Sequence, residues 1–408
     1  MKEGKLKLAS AARLLEISYR QAKRLWKRYQ AEGVAGVKHR AAGRRSNRAK
    51  GEGFQQKVLQ LVGDKYSGGI EERFGPTLAA EHLASEDGLK IDAETLRRWM
   101  LQSGLWSRER KRQPYRQRRA RKAHFGELVQ LDGSFHRWFE QRGAEACLMN
   151  LVDDATGKTL CQLGEQETTW AAARLLRSWI EQYGIPRALY TDWKNVYVRP
   201  ANQREKREGT EPLTQFGRMC AKLGIEIIPA RSPQAKGRVE RNHGIHQDRL
   251  IKKLRRQNIC SCEPGNRFLK EVYLPEHNRR YSRAAASAED YHRPRPNARA
   301  LRAVLCLEQE RIVSNDWVVR YAGRALQIER QGQRNPPARG KVVVQEWEDG
   351  KLEICYQGKK LAWKEFVLPP SVWAPPSRAV RLVNRPPASH PWRQSYQQLP
   401  TPAGGREW

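Results

Sequence analysis

With 408 residues, 77 Lys or Arg against 44 Asp or Glu and a formal net charge of +33, the chain carries more positive charge than a folded protein holds comfortably without a polyanion, and nucleic acid is the first candidate partner. No run of about 18 apolar residues is present and the N-terminal MKEGKLKLAS lacks a signal-peptide apolar core, so a soluble, intracellular protein without a membrane partner is expected. Seven scattered cysteines make no disulfide framework, and Cys260, Cys262 and His277 lack the spacing of a zinc finger, so reduced thiols are expected.

The length suits roughly two to four domains. Residues 1–50 read as a helix-turn-helix. Ala12, Leu14 and Leu15 in LASAARLLEIS make one helical face, and Ser18 with Gln21 has the spacing of a capping box that opens a second helix. That helix turns Ala22, Leu25, Trp26 and Tyr29 inward and leaves Arg20, Lys23, Arg24 and Lys27 for DNA, although a two-helix hairpin with a solvated basic face has the same pattern. A Gly-rich basic linker follows over 34–53.

Residues 51–122 read as a second helical DNA-binding domain ending in a basic arm. Pro76 opens a helix with Leu78, Ala79 and Leu83, and Asp92 caps the next, where Ile91 and Leu96 form a hydrophobic staple and Arg97 and Arg98 face outward. Between Trp106 and Lys122 lie nine Lys or Arg, counting Lys122, and one acid, a composition that follows a DNA backbone or serves as a nuclear-localisation run.

From Glu127 the pattern changes to strands. ELVQLDGSFHRWF, a hairpin turning at Asp154–Gly157, the helix TTWAAARLLRSWIEQYG, the strand RALYTD, the helix QFGRMCAKLG, the strand IEIIPA and a long polar helix make a mixed α/β layer over 123–300, the order of an RNase H-like fold. Short strands over 308–368 suggest a small SH3-like β-barrel, with turns at Glu348–Gly350 and Gln357–Gly358. The Pro-rich residues 369–408 are expected to be disordered.

Phosphodiester cleavage is most simply done with two divalent ions about 3.5 to 4 Å apart, held by carboxylates. Asp132 in the first strand, Asp192 at the carboxyl end of a later one and Glu240 on the helix after the last strand stand where such ligands would converge, although 44 acids offer many triples. Asp153 and Asp154 read instead as turn residues in DDATGK. On the Glu240 helix, His243 and Gln247 share its face, and Lys236, Arg238 and Arg241 surround its start as a phosphate-binding rim. Ser232 and Pro233 read as loop, with Gly237 a flexible point.

The strings VQLDGSFHRWFEQRG, LVDDATGK, LYTD and SPQAKGRVERNHGIHQDRLIKKLR resemble DDE transposases of the bacterial insertion-sequence ISNCY type, with an integrase catalytic core. The resemblance runs from the helix-turn-helix to about residue 368. It implies that Asp132, Asp192 and Glu240 are the DDE triad, holding two Mg²⁺ (or Mn²⁺) ions for nicking at transposon ends and attack of the freed 3′-hydroxyl on target DNA. It also implies terminal inverted repeats and target DNA as partners, a homodimer or higher homo-oligomer on paired ends, and a cytoplasmic, nucleoid-associated location. Trp193 and Tyr197 after the second Asp, and Gly244 after Glu240, depart from the pattern. A DNA-binding regulator without catalysis and an RNase H-like nuclease without strand transfer are the alternative readings.

Overall fold

The computed structural model describes residues 6–38, 49–69, 72–107, 119–230, 236–330 and 337–366. Half of the linker, most of the basic arm, the loop holding Ser232 and Pro233, and the Pro-rich tail from residue 369 lie outside the described residues. The chain divides into two compact units, Met1–Arg116 and Gln117–Trp408. Among the described residues, no helix is long and apolar enough to cross a membrane.

The first unit is helical: α1 (Leu8–Leu14), α2 (Tyr19–Glu32), α3 (Glu52–Lys65), α4 (Pro76–Ser85) and α5 (Ala93–Gln102). Ser18 caps α2 by accepting Gln21 N at 3.2 Å, as the S-x-x-Q spacing predicts. The inner face of α1 differs from expectation. Ala11 and Ala12 are buried, as is Ala22 of α2, whereas Leu14 and Leu15 are 72% and 63% exposed. The buried positions of α1 and α2 are small residues, and the leucines lie at the end of α1, past its buried turn. Beyond the linker, α3, α4 and α5 share a core of Val58, Val62, Tyr66, Phe74, Leu78, Leu83, Leu96 and Met100, with Ile91 packed against it. Asp92 caps α5 by accepting Glu94 N and Thr95 N, each at 3.0 Å.

The second unit opens with β1 (Leu128–His136), β2 (Ala146–Asp153), β3 (Thr159–Gly164), α6 (Thr169–Tyr183) and β4 (Ala188–Thr191). Next come α7 (Gln203–Glu208), α8 (Gln215–Lys222), β5 (Glu226–Pro229), α9 (Gly237–Arg256), α10 (Cys262–Phe268), α11 (Leu274–Tyr281) and α12 (Ala298–Val304). The sheet order is β3-β2-β1-β4-β5, with β1, β2 and β3 antiparallel and β4 and β5 parallel to β1. This is the element order predicted from the sequence, with one addition. The stretch read as a polar loop contains α7, nucleated by a reciprocal capping box between Asn202 and Glu205.

Both sheet faces are covered. Val129 and Leu131 of β1 and Met149 and Leu151 of β2 pack with Leu176 and Trp179 of α6 and Phe216 and Met219 of α8. On the opposite face, Leu148 and Leu163 pack with Leu250 and Leu254 of α9 and Leu274 of α11. Strand alternation therefore turns Gln130, Asp132 and Ser134 toward α9. The exposed edge of β3 is closed by two amides. Asn266 accepts Leu163 N at 2.7 Å and donates to Leu163 O at 2.9 Å, and Asn278 does the same with Thr159 N and O at 2.8 and 2.9 Å.

The final strands are β6 (Leu307–Ile312), β7 (Val318–Tyr321), β8 (Arg324–Ile328), β9 (Lys341–Glu346), β10 (Leu352–Tyr356), β11 (Lys359–Leu361) and β12 (Trp363–Phe366). The closed barrel expected over 308–368 is not formed by the described residues. Because β12 returns to pair with β8, the strands divide into a four-stranded sheet, β11-β10-β9-β6, and a three-stranded sheet, β12-β8-β7. The two share one core of Val319, Leu326, Val344 and Ile354. Gln215 of α8 ties this part to the sheet below it, donating to Glu308 O at 2.6 Å and accepting Glu308 N at 3.0 Å.

Candidate active site

Asp132 lies in mid β1, opposite Asn150 of β2, and Asp192 directly follows β4, the strand parallel to β1. The fold thus brings two carboxylates from adjacent strands to one place. Between them stands Lys236, the N-cap residue of α9, with Nζ 3.0 Å from Asp132 Oδ1 and 2.6 Å from Asp192 Oδ1. Lys236 is only 3% exposed, and a lysine is buried to that degree only when its charge is paired. His243, two turns further along α9, places Nε2 3.6 Å from Asp132 Oδ2, just beyond hydrogen-bond length. Burial pushes the Asp132 carboxyl up, but His243 and Lys236 outweigh it and hold the group down at about 2.

A second layer backs this pair. Glu167, just before the cap of α6, accepts Lys194 Nζ at 2.5 Å and Tyr197 Oη at 2.8 Å, while Lys194 Nζ stands 4.0 Å from Asp192 Oδ2. Burial would lower the Lys194 pKa, and Glu167 and the two aspartates raise it instead. Gly133 makes room for this layer, since a Cβ there would lie 2.7 Å from Glu167 Oε2 and 3.1 Å from Cys147 Sγ. Sequence reasoning missed Glu167 and Lys194. Their only local signals were a carboxylate beside the Thr168 cap and a lysine two residues past Asp192.

The start of α9 is anchored by Asp154, expected to be a turn residue and found fully buried. It accepts Gln130 Nε2 at 2.8 Å and Lys122 N at 2.8 Å, and pairs with Arg238 Nη1 at 3.0 Å and with Arg119. Gln130 uses its other end to accept Val239 N at 3.1 Å, satisfying an amide of the first helical turn. Asp153 closes the turn as predicted, accepting Thr156 N and Oγ1, each at 2.7 Å, and Gly157 supplies the left-handed residue with φ +73.

Glu240 lies one turn past Lys236, on the same stripe of α9 as His243 and Gln247, and its side chain is exposed. Among the described residues, no three His, Cys, Asp or Glu side chains cluster closely enough to hold a metal ion, so Glu240 is not drawn in with the two aspartates. The basic rim also differs from expectation. Lys236 is committed to the aspartates, Arg238 to the buried Asp154, and His243 is itself buried, facing Asp132. Arg241 is exposed, and so is Gln247, whose Nε2 donates to Ser134 Oγ at 3.4 Å. In the first unit, Arg20, Lys23, Arg24 and Lys27 line an exposed face of α2, Arg98 is exposed, and Arg97 pairs with Glu94. Gly237 opens α9, and Gly244 does not interrupt it.

Two carboxylate oxygens that already share one cation are the hard donors a divalent ion such as Mg²⁺ takes, so the donor set fits one. The mixed five-stranded sheet β3-β2-β1-β4-β5, with an acid in its first strand and another directly after its fourth, is that of an RNase H-like core. The comparisons narrow the class. The helix-turn-helix domain family matches residues 1–46. The putative transposase y4bF of Sinorhizobium fredii is 38% identical over 370 residues, which cover 89% of this chain and 78% of the relative. The transposase for insertion sequence IS1202 of Streptococcus pneumoniae is 28% identical over 434 residues, covering 96% and 90%. The simian T-cell lymphotropic virus intasome, solved with a PP2A regulatory subunit, matches 71% of this chain and 91% of its own at 14% identity and a TM-score of 0.31, too low to carry detail across. The chain belongs to the transposase family. Its activity is polynucleotidyl transfer.

Proposed function

We propose that this transposase binds the inverted repeats of its element, nicks them and joins the freed 3′-ends to target DNA, with Asp132, Asp192 and Glu240 as the metal-binding residues. The observation that carries this reading is that one buried cation, Lys236 Nζ, is shared by Asp132 and Asp192, carboxylates brought together from adjacent strands. Two carboxylates brought this close repel each other unless a cation sits between them. In the reading, Glu240 completes the ligand set from α9, one turn from Lys236.

Two Mg²⁺ or Mn²⁺ ions, when bound, would activate the nucleophile and stabilise the leaving oxygen. The chain's own residues do the rest. Gln130 and Asp154 hold the first turn of α9 against β1, Glu167 and Lys194 steady the far side of Asp192, and exposed Arg241 meets phosphate. In the first step a water oxygen bonds to phosphorus and the 3′-oxygen leaves, taking a proton. In the second step that 3′-hydroxyl oxygen bonds to a target phosphorus and displaces the target's own 3′-oxygen, so the number of phosphodiester bonds is conserved. The basic face of α2 and the outward arginines of α5 supply contacts to double-stranded DNA. A homodimer or larger assembly on paired ends, in the bacterial cytoplasm with the nucleoid, follows from the same reading.

The test is a nicking and joining assay on end DNA. Asp132→Asn, Asp192→Asn and Glu240→Gln should each abolish metal-dependent nicking while gel-shift binding of the ends persists. Wild-type protein that binds ends and never nicks them would support a regulator, and nicking without joining would support a nuclease.

A further inference from the structure

We propose that Lys236 and a divalent ion occupy the same position in turn. Lys236 is the resident cation of the metal-free site, and loading the site expels it. This inference rests on the reading of Asp132 and Asp192 as metal ligands, and it adds a role for a residue that sequence reasoning had placed on the outer rim.

Between Asp132 Oδ1 and Asp192 Oδ1 there is room for one cation. Lys236 Nζ lies 2.6 Å from Asp192 Oδ1 and 3.0 Å from Asp132 Oδ1. Magnesium binds carboxylate oxygens at about 2.0 to 2.1 Å. An ion bridging these same two oxygens would stand almost on Nζ, with like charges in contact. Among the described residues, no other cation is placed to play this part. Lys194 stands 4.0 Å from the other oxygen of Asp192, is held by Glu167 at 2.5 Å and is substantially exposed. His243 faces Oδ2 of Asp132 rather than the bridged oxygen. Asp132 and Asp192, left without Lys236 or a metal, would be two carboxylates brought together with no cation between them. The lysine therefore keeps the metal-free protein folded with its site formed, and it sets a threshold that a divalent ion must exceed to enter.

The experiment uses the full chain and Mn²⁺ as the probe. Isothermal titration compares wild type with Lys236→Gln, and with Asp132→Asn as a control for the site itself. Lys236→Gln is expected to bind Mn²⁺ roughly tenfold more tightly, since a competing charge at contact distance has been removed. Without metal it should melt at a lower temperature than wild type, and Mn²⁺ should raise its melting temperature by more. A second measurement needs no variant. Acetylation of wild-type lysines, read by mass spectrometry, should find Lys236 protected without metal and labelled once Mn²⁺ saturates the site. If Asp132→Asn binds Mn²⁺ as wild type does, the metal-site reading itself fails. If binding depends on Asp132 while Lys236 stays protected at saturation, and Lys236→Gln leaves the affinity unchanged, the exchange of cations is overturned and the metal-site reading survives.

Discussion

Replacing Asp154 by alanine tests how the helix that carries Glu240 is held. The Asp154 carboxylate is fully buried and gathers Gln130 Nε2 at 2.8 Å, Lys122 N at 2.8 Å and Arg238 Nη1 at 3.0 Å, together with Arg119. Its removal leaves the Arg238 guanidinium and the Gln130 amide without their acceptor in the interior, and deleting one member of a buried ion pair costs about 3 to 5 kcal/mol. Gln130 is also the acceptor for Val239 N, so the loss falls on the first turn of α9. At about 1.4 kcal/mol per factor of ten, the cost corresponds to roughly two to three orders of magnitude in the opening equilibrium. The chain has more than one folding unit, so a single unfolding free energy is not defined for it. The assay is hydrogen exchange of the backbone amides at the start of α9, followed by mass spectrometry. Asp154→Ala should speed exchange there by about those two to three orders, and Asp154→Asn, which keeps one acceptor, should do so by less. Exchange within about tenfold of wild type in Asp154→Ala would refute the anchoring role.

Three further outcomes follow from the geometry. His277, in the buried network with Asn242 and beside His246, is pushed down to about 4 by burial and by Arg249, with Glu276 opposing, and burial also drives His246 well below its usual value. Both are therefore neutral in the folded chain while the unfolded chain takes up protons below about pH 6.5. Stability is full above that pH and declines as pH falls toward 4, by about 3 kcal/mol for His277 alone, and thermal melts of the core that stay level between pH 7 and 4.5 would contradict this. Asn266→Ala and Asn278→Ala should each cost about 1 to 2 kcal/mol and, by baring the edge of β3, increase self-association in light scattering. Gly133→Ala should push Glu167 out of place and reduce nicking while leaving end binding intact in a gel shift, because the added Cβ would meet Glu167 Oε2 at 2.7 Å.

Much of the fold was legible because its elements carry local signals. The Ser18 and Asp92 caps, the stop at Gly184 and the turn at Asp154–Gly157 are short-range hydrogen-bonding or backbone requirements that appear in the chain as residue types at fixed offsets. Strand alternation likewise sets Asp132 apart from the apolar Val129 and Leu131 beside it. What could not be read was the identity of long-range partners. A lysine at the start of a basic helix looks like its neighbours until the sheet brings two aspartates within reach of it. Asp154 has turn chemistry and a turn position, and its burial comes from Gln130, Arg119 and Arg238, which are distant in sequence. The two-sheet ending of the chain turns on whether β12 pairs with β8 or continues the other sheet, and short strands of similar composition do not encode that choice locally.

Asp132 and Asp192 are placed to share a cation. The most direct measurement of this is an anomalous difference map at the manganese edge from crystals of the full chain grown with Mn²⁺. The predicted result is a peak in contact with both carboxylates, with Lys236 moved away from them. Lys236 still bridging Asp132 and Asp192, with manganese bound elsewhere or not at all, would contradict it.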